Sequence, residues 1–256
     1  MPKSLIYTPI FRFRQEEKKV LLSFDFGARM YPLVEIIKEA ERKSPKSRKG
    51  KAIVPKVAKP FNKIYLPILE KIKANKIFVD LPVHMKDDRR MKDEVLTFLR
   101  KVVANRIERT SYIISLKSLS SKVIPIISTY SQRSGEVNTI IVQENDLRPY
   151  FNQLAFRTFP KTFKSDLKQI DRCVQKQDFL ILDLDDYLPD PTDEDIIELT
   201  EQLKDFNKCH VIIVRSAINT DITNVGLDHG KLVEKADNSL LKAFRQLEGD
   251  VSSPYI

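Results

Sequence analysis

The 256-residue sequence predicts an α/β fold of repeating strand–helix units built around a parallel sheet. Short β-branched or aromatic runs recur along it, most followed by an amphipathic stretch. Hydrophobic residues make up 42% and charged residues 31%, an ordinary balance for a folded, soluble chain. No composition break divides the sequence, so one domain over 1–256 is expected, with a basic insertion at about 38–60.

Leu5–Phe13 (LIYTPIFRF) reads as the first strand, Lys18–Phe24 as a short helix and Tyr31–Ile37 as the second strand. A basic window follows, broken by Pro45, Pro55 and Pro60, and regular structure is not expected there. Phe61–Asn75 carries Ile64, Ile68, Leu69 and Ile72 at helical spacing. Lys76–Leu81 is the third strand, and Arg89–Ile107 a helix with Val95, Leu96, Leu99, Val102 and Val103 inward. Val123–Ser128 is the fourth strand. Glu136–Phe151 fits a helical stripe better than a strand, because Leu154–Phe159 then supplies the fifth strand. Ser165–Lys176 is a helix, and Asp178–Asp185 (DFLILDLD) a sixth strand of the fully buried kind. Asp193–Phe206 forms a helix behind Thr192 as its cap, with His210–Arg215 as the seventh strand and Lys231–Leu247 as the last helix.

Seven such steps suit an open parallel sheet or a closed eight-stranded barrel, and the count favours a TIM-barrel-like arrangement. An eighth strand should then follow the last helix, but Gly249–Ile256 leaves room only for a short, degenerate one. An incomplete barrel would expose two sheet edges and favour self-association through them.

Composition removes several function classes. Six glycines, with no GxGxxG and no GxxxxGK[ST], disfavour dinucleotide and P-loop chemistry. Three His and two Cys show no zinc-ligand spacing. Cys173 and Cys209 are too few for a disulfide framework and look like inert thiols. The apolar runs are too short to span a bilayer, and no signal-peptide stretch follows Met1. A reducing cytoplasm and no membrane partner are expected.

The net charge of +9 is local. Between Lys38 and Lys63 lie ten basic residues against Glu39 and Glu41, a net +8.

The motif Tyr7-Thr8-Pro9-Ile10 with Arg12, Arg14 and Glu17, followed by Pro32-Leu33-Val34-Glu35-Ile36, resembles the opening of the phage and bacterial beta protein family. Phe78-Val79-Asp80, Phe156-Arg157, Leu180-Ile181-Leu182-Asp183 and Ile213-Val214-Arg215 are similar to later segments of that family. Its members often continue past the final helix with Gly-Asp-Tyr, whereas Gly249-Asp250 here meets Val251. The resemblance implies a phage- or defence-associated prokaryotic protein and no particular chemistry.

In a barrel, polar residues at the C-terminal strand ends face the active-site mouth. Those residues are Arg12 or Arg14, Glu35, Asp80, Ser128, Arg157, Asp183 with Asp185, and Arg215. Such charges are paired or used, since desolvating them is costly. One reading is a structural ion-pair plug. The other is an enzyme acting on a phosphate-containing or other anionic ligand, with Arg12, Arg14, Arg157 and Arg215 as anchors. Glu35, Asp80 and Asp183 then serve as acid/base or metal groups. Asp183 and Asp185 alternate onto one strand face and could share Mg²⁺ if loops supply further oxygens. His84, in Leu-Pro-Val-His, is either a general base or an ordinary loop histidine. A different class is a non-catalytic module that grips nucleic acid or an acidic protein through Lys46, Arg48, Lys49 and Lys51, against the plain reading of a solvated loop.

Overall fold

The computed structural model describes residues 5, 7–39, 59–85, 87–88, 91–128, 137–185 and 194–215. Among these, seven strands form one parallel sheet: β1 (Ile10–Arg12), β3 (Leu33–Glu35), β5 (Ile77–Asp80), β6 (Val123–Ser128), β7 (Ala155–Thr158), β8 (Phe179–Asp183) and β9 (His210–Val214). Their order in the sheet follows their order in the chain, and every pairing is parallel. Helices α1 (Gln15–Ser23), α2 (Phe61–Lys71), α3 (Asp93–Ala104), α4 (Arg106–Ile114), α5 (Thr139–Leu147), α6 (Phe163–Cys173) and α7 (Glu194–Asp205) lie between them.

Side-chain alternation sorts the core into two parts. Val34, Ile77, Val79, Val123, Ile127, Phe156, Leu180, Leu182 and Ile213 point outward and pack with Phe61, Tyr65 and Leu69 of α2 and with Phe98, Val102, Tyr112, Ile140, Leu147 and Ile170 of later helices. Leu33, Phe78, Ile124, Ile126, Ala155, Phe179, Ile181, Ile212 and Val214 point the other way and form a second cluster with Leu5 and Tyr31. Both faces of every central strand are therefore apolar, which is why β6 and β8 read as unbroken hydrophobic runs.

The sheet is strongly curled into a half-barrel. Phe78 on β5 and Phe179 on β8 stand three strands apart, about 14 Å across a flat sheet, yet their ring centroids are 5.1 Å apart. Tyr31, just before β3, reaches Phe179 at 6.4 Å across four strand steps. The inner cluster is thus the filling of a concave surface. The outer strands of this sheet are β1 and β9.

Three features depart from the sequence reading. A two-stranded ribbon, β2 (Asp25–Gly27) with β4 (Lys73–Ala74), sits near the N-terminal ends of the main strands. Its turn depends on Gly27 at φ 61, whose amide donates to Asp25 Oδ1 at 2.9 Å. The helix expected over Arg89–Ile107 ends at Ala104, and a second helix starts at Arg106. Asn105 makes the break, its side chain accepting from the Glu108 amide at 3.1 Å as a helix cap. The first strand is shorter than expected, three residues plus an isolated bridge from Tyr7 to Met30.

Thr192, the helix expected at Lys231–Leu247 and the closing strand expected at Gly249–Ile256 lie outside the described residues. No helix among the described residues is long and apolar enough to cross a membrane. Burial pushes the Cys173 and Cys209 thiols up to about 12, so both are protonated and unreactive near neutrality.

Asp166 of α6 is buried and accepts from the Thr158 hydroxyl at 2.9 Å, tying the helix to the end of β7. Burial raises its pKa from 3.8 to about 6, against the opposing hydrogen bonds of Thr162 and Thr158. The folded state therefore binds this proton more tightly than the unfolded one. That contribution is fully present below the unfolded value and is lost as pH rises through about 6. Asp166→Asn should remove the dependence and stabilise the protein at pH 7.5 by on the order of 2 kcal/mol. Urea unfolding of both proteins at pH 4.5 and 7.5 checks this; equal pH slopes would count against it.

Candidate functional site

The polar layer sits on top of the inner apolar cluster, at the C-terminal ends of the strands. Strand register builds it. Arg12, Glu35 and Asp80 are direct partners across β1, β3 and β5, and Ser128 partners Arg157 across β6 and β7. Each charged residue lies two positions after an inner-face residue: Leu33 before Glu35, Phe78 before Asp80, Ala155 before Arg157 and Ile181 before Asp183. The pleat therefore turns all four toward the concave side.

Arg157 is the hub. It is 3% exposed, and its N–H groups reach three carboxylates. Nη1 donates to Glu35 Oε1 at 2.8 Å and to Asp80 Oδ2 at 2.6 Å, while Nε and Nη2 donate to Asp183 Oδ2 at 2.9 and 2.5 Å. Burial works against the guanidinium charge, but Glu35, Asp183 and Asp80 together outweigh it and hold the pKa above its ordinary value. Phe159 lies beneath, 5.7 Å from the guanidinium carbon, and also meets the His84 ring at 5.0 Å. At the rim, Arg12 Nε donates to Glu35 Oε2 at 3.2 Å. His84 Nε2 stands 3.5 Å from Glu35 Oε1, on a turn pinned by buried Val83 and Met85.

Two asymmetries stand out. Glu35, Asp80 and Asp183 are all buried, and Arg157 is the buried cation among them. The cluster is short of positive charge even with Arg12 at its edge. Asp80 Oδ1 is buried without a hydrogen-bond partner among the described residues. Burial, with Glu35 and Asp183 nearby and Arg157 opposing, raises the Asp80 pKa to about 6.

The other end of the sheet offers a contrast. Asp178, just before β8, is also buried, and each of its oxygens has two donors. Oδ1 accepts from Arg148 Nη1 and the Leu154 amide, both at 2.9 Å. Oδ2 accepts from Arg148 Nη2 at 2.6 Å and the Gln175 amide at 2.8 Å. This pair is complete and needs nothing further.

The structure thus brings together Glu35, Asp80, Asp183, Arg157, Arg12 and His84. Arg14 is exposed on the segment leading into α1, and Arg215 follows β9 half-buried. Asp185 is exposed with φ 53, and its amide donates to Asp183 Oδ1 at 2.8 Å. Both Asp183 oxygens are therefore engaged, one by Arg157 and one by a tight turn. Among the described residues, the trio able to offer ligand atoms within 4.8 Å of one another is Glu35, Asp80 and His84. Lys46, Arg48, Lys49 and Lys51 lie outside the described residues. Phe159 is the member the sequence reading missed. Its position two residues after Arg157 is the only sign of it.

A family model described as Beta protein matches residues 7–253, nearly the whole chain. No curated protein and no solved structure matches.

Proposed function

The chain belongs to the Beta protein family, and on that premise we propose that the sheet mouth is the active site of an enzyme acting on a phosphate-containing substrate. The observation that carries this reading is the bare, buried Oδ1 of Asp80. A cluster serving only to plug the fold would cover it, as Asp178 is covered, because an unmatched buried acceptor costs about 1–3 kcal/mol. Glu35 and Asp80 are the groups that meet the reacting atoms. Arg157 holds them in place; its N–H groups already bond three carboxylates, which leaves it poorly suited to grip a phosphate.

The phosphate half of the reading draws support from the rim. Arg12 borders the acidic centre through Glu35, and Arg14 and Arg215 follow β1 and β9, the outer strands of the sheet. The basic stretch leaves from the end of β3, and its net +8 would draw polyanions, nucleic acid included, toward the same mouth. The reading also takes the curled sheet as part of a TIM-like barrel in a single domain, supported by sequential strand order and by charges gathered at the C-terminal ends.

Thermal unfolding of the full chain with nucleotides, sugar phosphates and inorganic phosphate tests it. At least one should raise the midpoint by about 5–10 °C at a hundredfold excess over its Kd. Asp80→Asn should keep that shift and lose at least about 100-fold in turnover of the phosphoester so found. If no phosphate compound shifts the midpoint, or the variant turns over at the wild-type rate, the proposal fails.

A further inference from the structure

Glu35, Asp80 and His84 have the chemistry and spacing of a cation site. One donor atom from each lies within 4.8 Å of the other two. Two ligands of a tetrahedral ion, each about 2.1 Å from it, stand about 3.4 Å apart; His84 Nε2 and Glu35 Oε1 are separated by 3.5 Å. Acidic neighbours alone would prove little, but Asp80 supplies an independent pointer, a side chain 1% exposed whose Oδ1 has no partner among the described residues. The charge count agrees, because three buried carboxylates around one buried guanidinium leave room for further positive charge.

The supports around the trio resemble those that hold metal ligands in place. Arg157 Nη1 bridges Glu35 Oε1 and Asp80 Oδ2, and Arg12 fixes the far oxygen of Glu35. Phe159 packs on the His84 imidazole. A carboxylate oxygen has two lone pairs, so accepting from a guanidinium leaves one for an ion.

We propose that Glu35, Asp80 and His84 bind one divalent transition-metal cation of the Mn²⁺ or Zn²⁺ kind at the mouth of the sheet. The imidazole decides the class, since Mg²⁺ favours all-oxygen surroundings and retains its waters, whereas a mixed nitrogen–oxygen set suits transition ions. Asp183 and Asp185, the pair the sequence singles out for Mg²⁺, take no part, because the donor atoms that lie within 4.8 Å of one another belong to Glu35, Asp80 and His84. This inference rests on the reading of the same mouth as an active site, where the ion would polarise a phosphoryl oxygen.

The test uses the full chain, stripped with a chelator and titrated with Mn²⁺ alone. Loss of the free-ion electron paramagnetic resonance signal should give one bound ion per chain, and pulsed spectra should show coupling to a histidine nitrogen. His84→Ala should abolish that coupling, and Asp80→Asn should weaken binding at least tenfold. The exposed Asp171→Asn control should change neither. Should Asp80→Asn fail to fold, His84→Ala still decides, since it changes a turn residue. Absence of stoichiometric binding, absence of nitrogen coupling in the wild type, or binding unchanged in both variants overturns the proposal. Bound Mn²⁺ without any phosphate ligand would leave this inference standing and sink the enzyme reading. Phosphate binding and turnover in stripped protein, indifferent to added Mn²⁺, would do the reverse.

Discussion

Replacing Arg157 by leucine should leave the protein about 3–5 kcal/mol less stable at neutral pH, the usual consequence of stripping the partner from a buried charge. Few changes elsewhere in the molecule should cost as much. Glu35, Asp80 and Asp183 would lose their common donor while remaining out of reach of water. Arg157→Lys should fall between wild type and leucine. An ammonium restores the charge, but it lacks the planar fork that spans carboxylates on three strands. The measurement is the urea midpoint of each protein at pH 7.5. If leucine costs under 1 kcal/mol, the carboxylates must be reached by solvent, and the buried cluster described above is wrong.

The second large effect concerns the inner face. Phe179→Ala should cost about 3–5 kcal/mol, the range for truncating a buried aromatic ring. Phe179 packs against Phe78, Tyr31 and His210, so the cavity would open at the centre of the concave cluster. Size alone does not test the curl, since any buried phenylalanine costs this much. The informative number is the coupling between Phe78 and Phe179 in a double-mutant cycle with alanine, expected at about 0.5–1.5 kcal/mol for an edge-to-face pair. Strands β5 and β8 have two others between them, so a flat sheet would give additive losses.

Much of this architecture was legible in the sequence, for a physical reason. Strands buried on both faces need continuous apolar runs, so Val123–Ser128 and Phe179–Asp183 stood out. A charged residue closing such a run has nowhere cheap to go, which marked Glu35, Asp80, Arg157 and Asp183 as one set. The partners within the set were not legible, because pairing depends on sheet curvature that no local pattern encodes. Asp183 and Asp185 obeyed the strand alternation, yet the chain leaves the strand at Asp183 and turns, so the pair never forms. The ribbon from Asp25–Gly27 to Lys73–Ala74 has too few residues to show periodicity. The break at Asn105 did carry a signal, an asparagine three residues before Glu108, masked by the helical stripe running across it.

The ion-pair hub also has a temporal consequence. The main strands pair in chain order, each with the next one along, and those pairings join residues 23 to 46 positions apart. Two contacts of the hub reach further: Arg157 meets Asp183 across only 26 residues, but Asp80 across 77 and Glu35 across 122. Such distant contacts carry the largest loop-closure entropy and become favourable only after the intervening strands are in place. They should therefore contribute little to the speed of folding and much to the lifetime of the folded chain. The charged residues at the strand ends would also be the latch that keeps the curled sheet from opening.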